Sequence, residues 1–501
     1  MLLDLNKQDI KENLIKGSIV IFGAGVSGIF LAYLLRNSGK KIIVIEKNNF
    51  PDLNIPNLQF KKKFKSEFYN KSFNAINKFF GGWSNYWGGL LVELKKNDIE
   101  KKYWGLSYND LTKLYDEIYK IFDIKLDRDL LDKVNNIKNL ENSSLKKYLS
   151  FYLKQPNFNY YFEKFIKNNK NVYFYYNCKI NKVITHKSKI KSIEINNIKN
   201  KDFLVFGDMF VLSMGTHGNN QFLLSLKEND KNFLKYNDKI GSNIHDHIGI
   251  EVGKVIIRDK KNFRNHFENG FFNGSKYQPK IINKKNNLSI SGQFNHKSNL
   301  DPQITEIKKF IKKFFLRSNT HYNKKYITFK GLFSFSKYIW HWIFHKRILN
   351  FTSQNISFYV QSEQSIVNSN TIKIIKNKND KNFLKEINFD WKFNKDDFDE
   401  IKNFRESVNI FLKENKLATI KNFNLNYEFL KKNIESTYHL SGGTIISKNI
   451  NSGVCSKSLK VWGSDNIFVS GASLFPCSGS ANITLTILAL TLKLSKKLKT
   501  L

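Results

Sequence analysis

The N-terminal part of the chain begins with a short, uninterrupted apolar run, Ser18 to Phe22, which is typical of a buried parallel strand. After a glycine-rich turn at 23–28, apolar positions recur at helical spacing from Ile29 to Leu35. A second apolar run, Lys41 to Ile45, ends at Glu46. The pattern predicts a strand, a helix and a second parallel strand, which together form a βαβ unit.

Further along the chain, strand-like and helix-like patterns alternate in blocks that indicate two interleaved domains. Period-two alternation, as at Ile356 to Val360, occurs together with a helix predicted over Asp396 to Asn415. We predict an α/β fold in which a Rossmann-like dinucleotide-binding domain is interleaved with an α+β substrate domain built on an antiparallel sheet. The predicted parts are residues 1–95, 166–250 and 436–501 for the dinucleotide-binding domain, 96–165 for a mostly helical insertion, and 251–435 for the substrate domain.

The glycine-rich turn has the spacing of a dinucleotide-binding loop. Its glycines let the backbone approach a pyrophosphate, and the N-terminus of the following helix supplies N–H donors and positive potential. Glu46 stands 18 residues after Gly28, where a carboxylate accepts ribose hydroxyls and disfavours the 2′-phosphate of NADP. The alternative is a glycine cluster that only packs a helix, beside a surface glutamate. The dinucleotide-binding residues predicted in this unit are Gly23, Gly25, Val26, Ser27, Gly28 and Glu46.

The formal net charge of +39 raises nucleic acid or an anionic membrane surface as a partner. Most of this charge is lysine scattered among Asn, Ile and Phe, residues with AT-rich codons, so we assign it mainly to a solvated surface. The sequence contains no arginine-aromatic stripe and no nucleic-acid-binding motif. We therefore predict no nucleic-acid partner and leave peripheral membrane contact open.

Cysteine usage and the apolar segments indicate where the protein resides. Its three cysteines, Cys178, Cys455 and Cys477, form no CxxC pair, so neither a disulfide framework nor a metal site is predicted. Residues 1–16 mix charged and apolar side chains, unlike a secretory signal. No segment reaches the roughly 18 continuous apolar residues of a membrane span. These features predict a cytoplasmic protein without a transmembrane segment.

Two motifs lie near the C-terminus, STYHLSGGT at 436–444 and SGSANITLT at 478–486. Together they resemble the C-terminal region of the glucose-methanol-choline (GMC) oxidoreductases, in which a histidine precedes a glycine turn and an asparagine or second histidine precedes the last helix. Residues 457–473 resemble the stretch of that family that leads to the flavin, and segments 210–215 and 241–247 resemble further family segments. The resemblance implies FAD on the N-terminal unit and oxidation of an alcohol.

The segment 81–89, GGWSNYWGG, is similar to the flavin-facing loop of the family and is closest to its pyranose-oxidase-like branch. Tyr86 stands where some members carry a histidine bonded covalently to the flavin, so the resemblance implies non-covalent FAD. Trp87 replaces an asparagine of many members, which leaves reactivity with oxygen open, and core packing is its alternative role. The cofactor-binding residues implied by the resemblance are Gly82, Ser84, Tyr86, Trp87, Gly88, Val183, Gly215, Gly471 and Ala472.

The same resemblance gives catalytic roles to His439 and Asn482. An imidazole with an ordinary pKa of about 6.5 accepts a hydroxyl proton at neutral pH, an amide orients the substrate oxygen, and the hydride leaves to flavin N5. The helix after Asn482 would direct its positive end towards the reduced flavin. His245 and His247 flank Asp246 without a clear third ligand, so we predict a structural role for both and no metal site.

The divergent segment 251–435 leaves the substrate open. A sugar or sugar derivative is favoured by the pyranose-oxidase-like loop, and a small or aliphatic alcohol is the second candidate. The electron acceptor is a quinone, a carrier protein or oxygen, with a dehydrogenase slightly favoured over an oxidase. Two other interpretations stay open: a flavoprotein reaction without net oxidation, and a basic nucleic-acid- or membrane-binding protein that retains the fold.

Overall fold

Two large β-sheets organise the chain, and each is assembled from several separate stretches of sequence. The computed structural model describes residues 1–7, 13–50, 80–126, 144–284, 288–296, 306–307, 309–311, 322–345, 356–377, 379–422 and 424–501. The strands are β1 Leu2–Asp4, β2 Leu14–Phe22, β3 Ile42–Ile45, β4 Leu90–Leu91, β5 Leu145–Tyr152, β6 Val172–Tyr176, β7 Lys179–His186, β8 Lys189–Asn196, β9 Asp202–Leu212, β10 Ser242–His245, β11 His247–Ile257, β12 Gly270–Phe272, β13 Ser275–Asn283, β14 Ile290–His296, β15 Ile356–Glu363, β16 Thr371–Ile374, β17 Ile387–Asp390, β18 Ala418–Asn422, β19 Glu435–Ser436, β20 Ser441–Gly443 and β21 Ile467–Val469. The helices are α1 Val26–Leu35, α2 Lys96–Glu100, α3 Tyr108–Ile121, α4 Phe158–Tyr161, α5 Glu163–Asn168, α6 Gly215–Asn229, α7 Lys260–Phe267, α8 Phe329–His345, α9 Lys395–Glu414, α10 Tyr427–Asn433 and α11 Thr484–Thr500.

The first sheet has eight strands, in the order β1-β6-β3-β2-β9-β8-β7 with β21 beside β9. Strands β6, β3, β2, β9 and β21 run parallel, whereas β7 and β8 add an antiparallel edge. The residues from Ile19 to Phe22 and from Ile42 to Ile45 are buried, as expected for central strands covered on both faces. The βαβ unit and the Rossmann-like sheet predicted from the sequence are therefore confirmed.

The second sheet is antiparallel and has nine strands, seven of them in the order β18-β11-β15-β14-β13-β5-β4. One face is apolar and packs on α9, where the rings of Phe358 and Phe404 lie 6.2 Å apart. Because side chains alternate along a strand, the opposite face carries polar residues, including His247, Lys280 and Gln361. The predicted antiparallel sheet is confirmed, and its polar face contacts the C-terminal segments that carry His439 and residues 478–480.

Segment 96–165, predicted to be a mostly helical insertion, contains α2, α3 and α4 but also strand β5, which pairs with β13 in the second sheet. Lysines interrupt the apolar positions of β5, so its period-two pattern is weak in the sequence. Residues 127–143 of this segment lie outside the described part of the chain. The predicted helix at Asp396 to Asn415 is α9. Across the described ranges, no helix combines the length and the hydropathy needed to cross a membrane.

Candidate active site

The glycine-rich turn connects β2 to α1. One of its glycines is in close contact with the neighbouring backbone, and another has free space beside its Cα. A Cβ on Gly28 would lie 1.9 Å from the carbonyl oxygen of Gly23, so only glycine allows this close approach. A Cβ on Gly25 would meet no atom nearer than Ser213 O, at 4.0 Å, so this side of the turn is open. An open, glycine-lined helix N-terminus, which begins at Val26, fits the pyrophosphate of a dinucleotide.

Glu46 follows β3 and is buried beside the turn. One carboxylate oxygen accepts a hydrogen bond from Ala24 N–H at 2.8 Å, and the other accepts from Asn48 N–H at 2.9 Å. Burial raises the pKa of Glu46, and these hydrogen bonds act in the opposite direction. The backbone N–H of Cys178 donates to the Glu46 carbonyl oxygen at 3.3 Å, which brings the start of β7 to the same edge. Glu46 therefore fixes the turn, and a ribose would use the remaining carboxylate lone pairs.

The loop 81–89 lies directly against the turn. Gly81 N–H donates to the carbonyl oxygen of Ala24 at 2.7 Å. A Cβ on Gly82 would lie 3.1 Å from the Cα of Gly25, so the two backbones are in contact. The structure thus brings the predicted flavin loop to the open side of the predicted dinucleotide turn.

The other predicted residues of this loop have different surroundings. Ser84 is buried, and its Oγ donates to a carbonyl oxygen of the same loop at 2.6 Å. Trp87 is half-buried, and its Nε1 donates to the carbonyl oxygen of Pro156 at 2.8 Å. Tyr86 and Gly88 are exposed. Ser84 and Trp87 therefore shape the loop, while Tyr86 and Gly88 lie at its outer edge.

The carboxyl ends of the parallel strands, beside the glycine-rich turn 23–28, carry three further predicted cofactor contacts: Gly215, Gly471 and Ala472. Gly215 begins α6, with residues 213 and 214 between it and the end of β9, and Gly471 follows β21 after one intervening residue. The Oγ of Ser27 donates to the carbonyl oxygen just before Gly471 at 3.4 Å. Val183 lies half-buried on the antiparallel strand β7, where it pairs with Ile193 of β8. Dinucleotides bind at the carboxyl edge of such sheets, which favours Gly215, Gly471 and Ala472 as cofactor contacts.

His439 and Asn482 lie side by side, although 43 residues separate them: Asn482 Nδ2 is 3.5 Å from His439 Nε2. Both side chains are half-buried, so the pair faces a recess rather than the packed core. The preceding residue, Tyr438, packs on Trp83 with ring centroids 5.0 Å apart. Because Trp83 belongs to the loop 81–89, this contact between tilted rings connects the pair to the predicted flavin loop. The structure therefore brings together the two predicted catalytic residues.

His247, on the second sheet, determines where His439 carries its proton. His247 Nε2 lies 3.2 Å from Ser478 O and 2.8 Å from Gly479 O, and because carbonyl oxygens only accept, this nitrogen is protonated. Burial lowers the pKa of His247 to about 3, so the ring is neutral and Nδ1 has a lone pair. His439 Nδ1, 2.8 Å away, must then donate to His247 Nδ1. The resulting tautomer of His439 leaves Nε2 unprotonated, on the side of Asn482.

The ring of His439 is held neutral. Burial, then His247, then the charge of Lys280 keep the pKa of His439 well below 6.5. A neutral imidazole with a free Nε2 is a proton acceptor. A hydroxyl placed between His439 Nε2 and the Asn482 amide would meet one acceptor and one donor.

Two buried carboxylates hold the backbone around this pair. Asp246 Oδ1 accepts the backbone N–H of His439 at 3.0 Å and that of His247 at 2.7 Å. Burial raises the pKa of Asp246 to about 6, although its hydrogen bonds oppose the shift. Glu363 accepts the backbone N–H of Gly479 at 3.2 Å, in the loop before α11. The second sheet therefore fixes both segments that carry the predicted catalytic residues.

Lys280, on β13, brings a positive charge to the same place. Its Nζ donates to Asn482 Oδ1 at 3.1 Å, and its side chain is only 2% exposed. Burial lowers the pKa of Lys280 to about 8, which leaves the group mostly protonated at neutral pH. Because Lys280 holds the amide oxygen, the NH₂ of Asn482 is directed towards His439.

Comparisons with known proteins concern the family and the fold of the chain. A family model described as GMC oxidoreductase matches residues 368–491. Residues 368–491 are therefore similar to a domain of the GMC oxidoreductases. A second model, for an NAD(P)-binding Rossmann-like domain, matches residues 21–79. The region that matches the GMC model therefore follows a region that matches a Rossmann-like unit, and the family resemblance seen in the sequence is confirmed.

Solved structures of two oxidases share the fold of the whole chain at low identity. A formate oxidase variant from Aspergillus oryzae, studied for FAD modification, is 15% identical, with 97% of this chain and 98% of that chain covered and a TM-score of 0.59. Pyridoxine 4-oxidase from Mesorbium loti is 12% identical, with 96% and 98% covered and a TM-score of 0.58. At such identity the similarity establishes the fold. No curated protein matches the chain.

The sequence did not reveal His247 and Lys280 as neighbours of the predicted catalytic pair, His439 and Asn482. His245 and His247 flank Asp246, where β10 ends and β11 follows, and they have different partners: His245 Nδ1 lies 2.9 Å from Asn243 O, whereas His247 contacts His439. The available signal was the rarity of histidine, with ten in the chain. Lys280 gave no signal among 82 Lys and Arg residues. Within the described ranges, no three His, Cys, Asp or Glu residues form a group that could hold a metal ion, and all three cysteines are free and buried.

Proposed function

We propose that the protein is an FAD-dependent oxidoreductase that oxidises a CH–OH group, of a sugar or a sugar derivative, with His439 as the base. The observation that carries this proposal is the unprotonated Nε2 of His439, 3.5 Å from the Asn482 amide. Support also comes from the GMC family model and from the aromatic contact between Tyr438 and the predicted flavin loop.

The chain offers residues suited to FAD. The open side of the turn at Gly25 and the N-terminus of α1 would hold the pyrophosphate, and Glu46 would hold the ribose. The loop 81–89 and the Gly471–Ala472 stretch would lie against the ring system. FAD is held without a covalent bond, because Tyr86 stands where an attached histidine would be needed. When bound, FAD supplies the acceptor of the hydride.

The protein side chains orient the substrate hydroxyl and remove its proton. Asn482 donates to the substrate oxygen while Lys280 holds the amide in that orientation. The Nε2 of His439 takes the hydroxyl proton, and its Nδ1–H keeps the hydrogen bond to His247. The positive N-terminal end of α11, which begins two residues after Asn482, favours negative charge developing nearby. Loss of the hydroxyl proton promotes departure of hydride from the same carbon.

Uncharged polar residues on the second sheet support a substrate with several hydroxyl groups. Ser291 and Gln361 are opposite each other on β14 and β15, and Gln278 lies on the same face of β13 as Lys280. A small or aliphatic alcohol is the alternative substrate. The electron acceptor is a quinone, a carrier protein or oxygen.

Anaerobic reduction of the purified holoenzyme by a panel of sugars and alcohols tests this function. We expect bleaching of the flavin absorbance by at least one CH–OH compound, followed by recovery with oxygen or a quinone, which identifies the acceptor. Acid precipitation is expected to release the flavin into the supernatant. A chain that binds FAD but is bleached by no member of the panel contradicts the proposed oxidation. Yellow colour that stays with the denatured chain contradicts non-covalent FAD.

A further inference from the structure

Lys280 is a buried positive charge without a negative partner in the described part of the chain. Its Nζ donates a hydrogen bond to the neutral amide of Asn482, and burial alone accounts for the lowering of its pKa. Across the strands it faces Tyr148, and two residues away on the same face lies Gln278, both uncharged at neutral pH. An ammonium group has three donors, and a buried charge without a counter-charge is unfavourable. An anion from outside the chain would relieve this imbalance.

We propose that Lys280 binds a carboxylate of the substrate, so that the substrate is a hydroxy acid such as an acidic sugar. This inference rests on the proposed function and narrows its substrate class. Lys280 and His439 contact opposite atoms of the same Asn482 amide. A carboxylate at Lys280 and a hydroxyl at His439 therefore belong to one small molecule. This arrangement selects acids over neutral alcohols of equal size.

Matched pairs of acidic and neutral substrates test the proposal. D-glucuronate with D-glucose, and lactate with 1,2-propanediol, differ mainly in the carboxylate. In wild type we expect the reductive rate constant divided by the dissociation constant to favour the acid by about tenfold or more, the usual size of a hydrogen bond to a charged group. Lys280→Met, which keeps the length without the charge, should bring the ratio close to one. Lys280→Arg, which keeps the positive charge, should retain most of the preference for the acid.

The outcomes separate this inference from the proposed function. If neutral compounds bleach the flavin as well as their acids in wild type, the anion site is wrong and the oxidation stands. If Lys280→Met slows both members of a pair equally, Lys280 serves the reacting oxygen or Asn482 and not a carboxylate. Calorimetric titration with acetate needs no turnover: wild type should bind it at least about tenfold more tightly than Lys280→Met. Equal acetate binding by the two proteins overturns the proposal.

A separate observation concerns helix α8, which carries its apolar stripe on the outside. Apolar residues recur three or four positions apart, and their exposed fractions are 90% for Phe329, 51% for Leu332, 58% for Phe333, 38% for Ile339, 56% for Trp340, 45% for Ile343 and 66% for Phe344. Gly331, on the other side, is buried. The apolar stripe of a surface helix normally faces the core. An exposed stripe of this size marks an interaction surface.

The charge around α8 indicates the partner. Segment 307–362 contains eleven Lys and Arg residues and no Asp or Glu. Lys324 and Lys325, in the turn just before α8, are exposed. Apolar and aromatic side chains beside basic ones are typical of helices that lie in the interface of anionic membranes. A second copy of the chain is a poor partner, because it would bring the same basic segment and its charge of +39.

We propose that α8 docks the protein on an anionic membrane surface, with the helix in the plane of the lipid headgroups. The inference does not depend on the reaction. Phe329 and Phe344, at the two ends of the stripe, would enter the acyl boundary. The exposed lysines before the helix would contact lipid phosphates.

Vesicle sedimentation tests the membrane proposal. Wild type should bind phosphatidylcholine vesicles that contain phosphatidylserine, and much less those of phosphatidylcholine alone, with binding reduced at high salt. The variant Phe329→Asp with Phe344→Asp should lower the partition coefficient more than about tenfold, since two aromatic side chains lose burial. The matched control, Ile198→Asp with Tyr236→Asp, changes two exposed apolar residues elsewhere, at 70% and 76%, and should bind as wild type does.

Three results would overturn the docking of α8 on lipid. One is absence of wild-type binding to anionic vesicles. Another is equal binding by the stripe variant and the control. The third is a wild-type dimer in sedimentation velocity that the stripe variant dissociates, which would assign the stripe to a second copy.

Discussion

Replacing His439 with glutamine should lower the rate constant of anaerobic flavin reduction by about 10²- to 10⁴-fold, the usual contribution of a positioned general base. Glutamine keeps a polar side chain beside Asn482 but cannot take up a proton at neutral pH. Flavin content and thermal unfolding should remain near those of wild type, because Asp246 binds the backbone N–H of residue 439 and not its side chain. Stopped-flow absorbance with a substrate found in the panel measures the effect.

The pH dependence of kcat/KM gives a second measurement of the same base. Burial, then His247, keep the pKa of His439 well below 6.5, so the imidazole is unprotonated at neutral pH and gains a proton only in more acidic solution. The acidic limb of the wild-type profile should therefore lie below pH 6.5 and disappear in His439→Gln. His186→Ala, at the exposed end of β7, serves as the histidine control. Reduction of the glutamine variant at the wild-type rate would remove His439 as the base.

Local sequence patterns were sufficient to predict the dinucleotide-binding half of the fold. The run from Ser18 to Phe22 is apolar because β2 is buried on both faces, and the close approach at Gly28 allows no side chain. The antiparallel sheet was predicted in type, but strand β5 was not, because its lysines interrupt the alternation. Neighbours within a strand or helix leave a pattern in the sequence. The pairing of distant strands does not.

The candidate site shows the same limit. His439 and Asn482 were predicted because each belongs to a motif of the C-terminal region. His247 and Lys280 meet them across 192 and 202 residues, through contacts that depend on the register of the second sheet. Neither residue has a local motif of its own, so only the folded chain identifies it. The proton position of His439 follows from such a distant contact.

The contact between His247 and His439 leads to the prediction with the second largest effect. His247→Phe removes the lone pair that accepts the Nδ1–H of His439, so the proton can move to Nε2, where the ring no longer acts as a base. Thr437 Oγ1, 2.9 Å from the same Nδ1, takes over part of the hydrogen bond. We therefore expect flavin reduction to fall by about 10- to 100-fold, less than the roughly 10⁴-fold loss when a serine-protease histidine is held in the wrong tautomer.

Two further readouts distinguish this role of His247 from simple packing. In acid a protonated His247 would repel a second positive charge on His439, which contributes, after burial, to the low pKa of His439; removal of His247 should therefore move the acidic limb of kcat/KM upward, towards pH 6.5. His247→Asn places an amide oxygen near the former Nδ1 and should recover part of the rate, while His247→Phe with Thr437→Val should lose more than His247→Phe alone. If His247 were purely structural, His247→Phe would instead change flavin content and thermal stability and leave the acidic limb of kcat/KM in place. His247→Asn would then recover none of the lost rate. Those results for a structural His247 would contradict the prediction, and they would mean that Thr437, and not His247, sets the tautomer of His439.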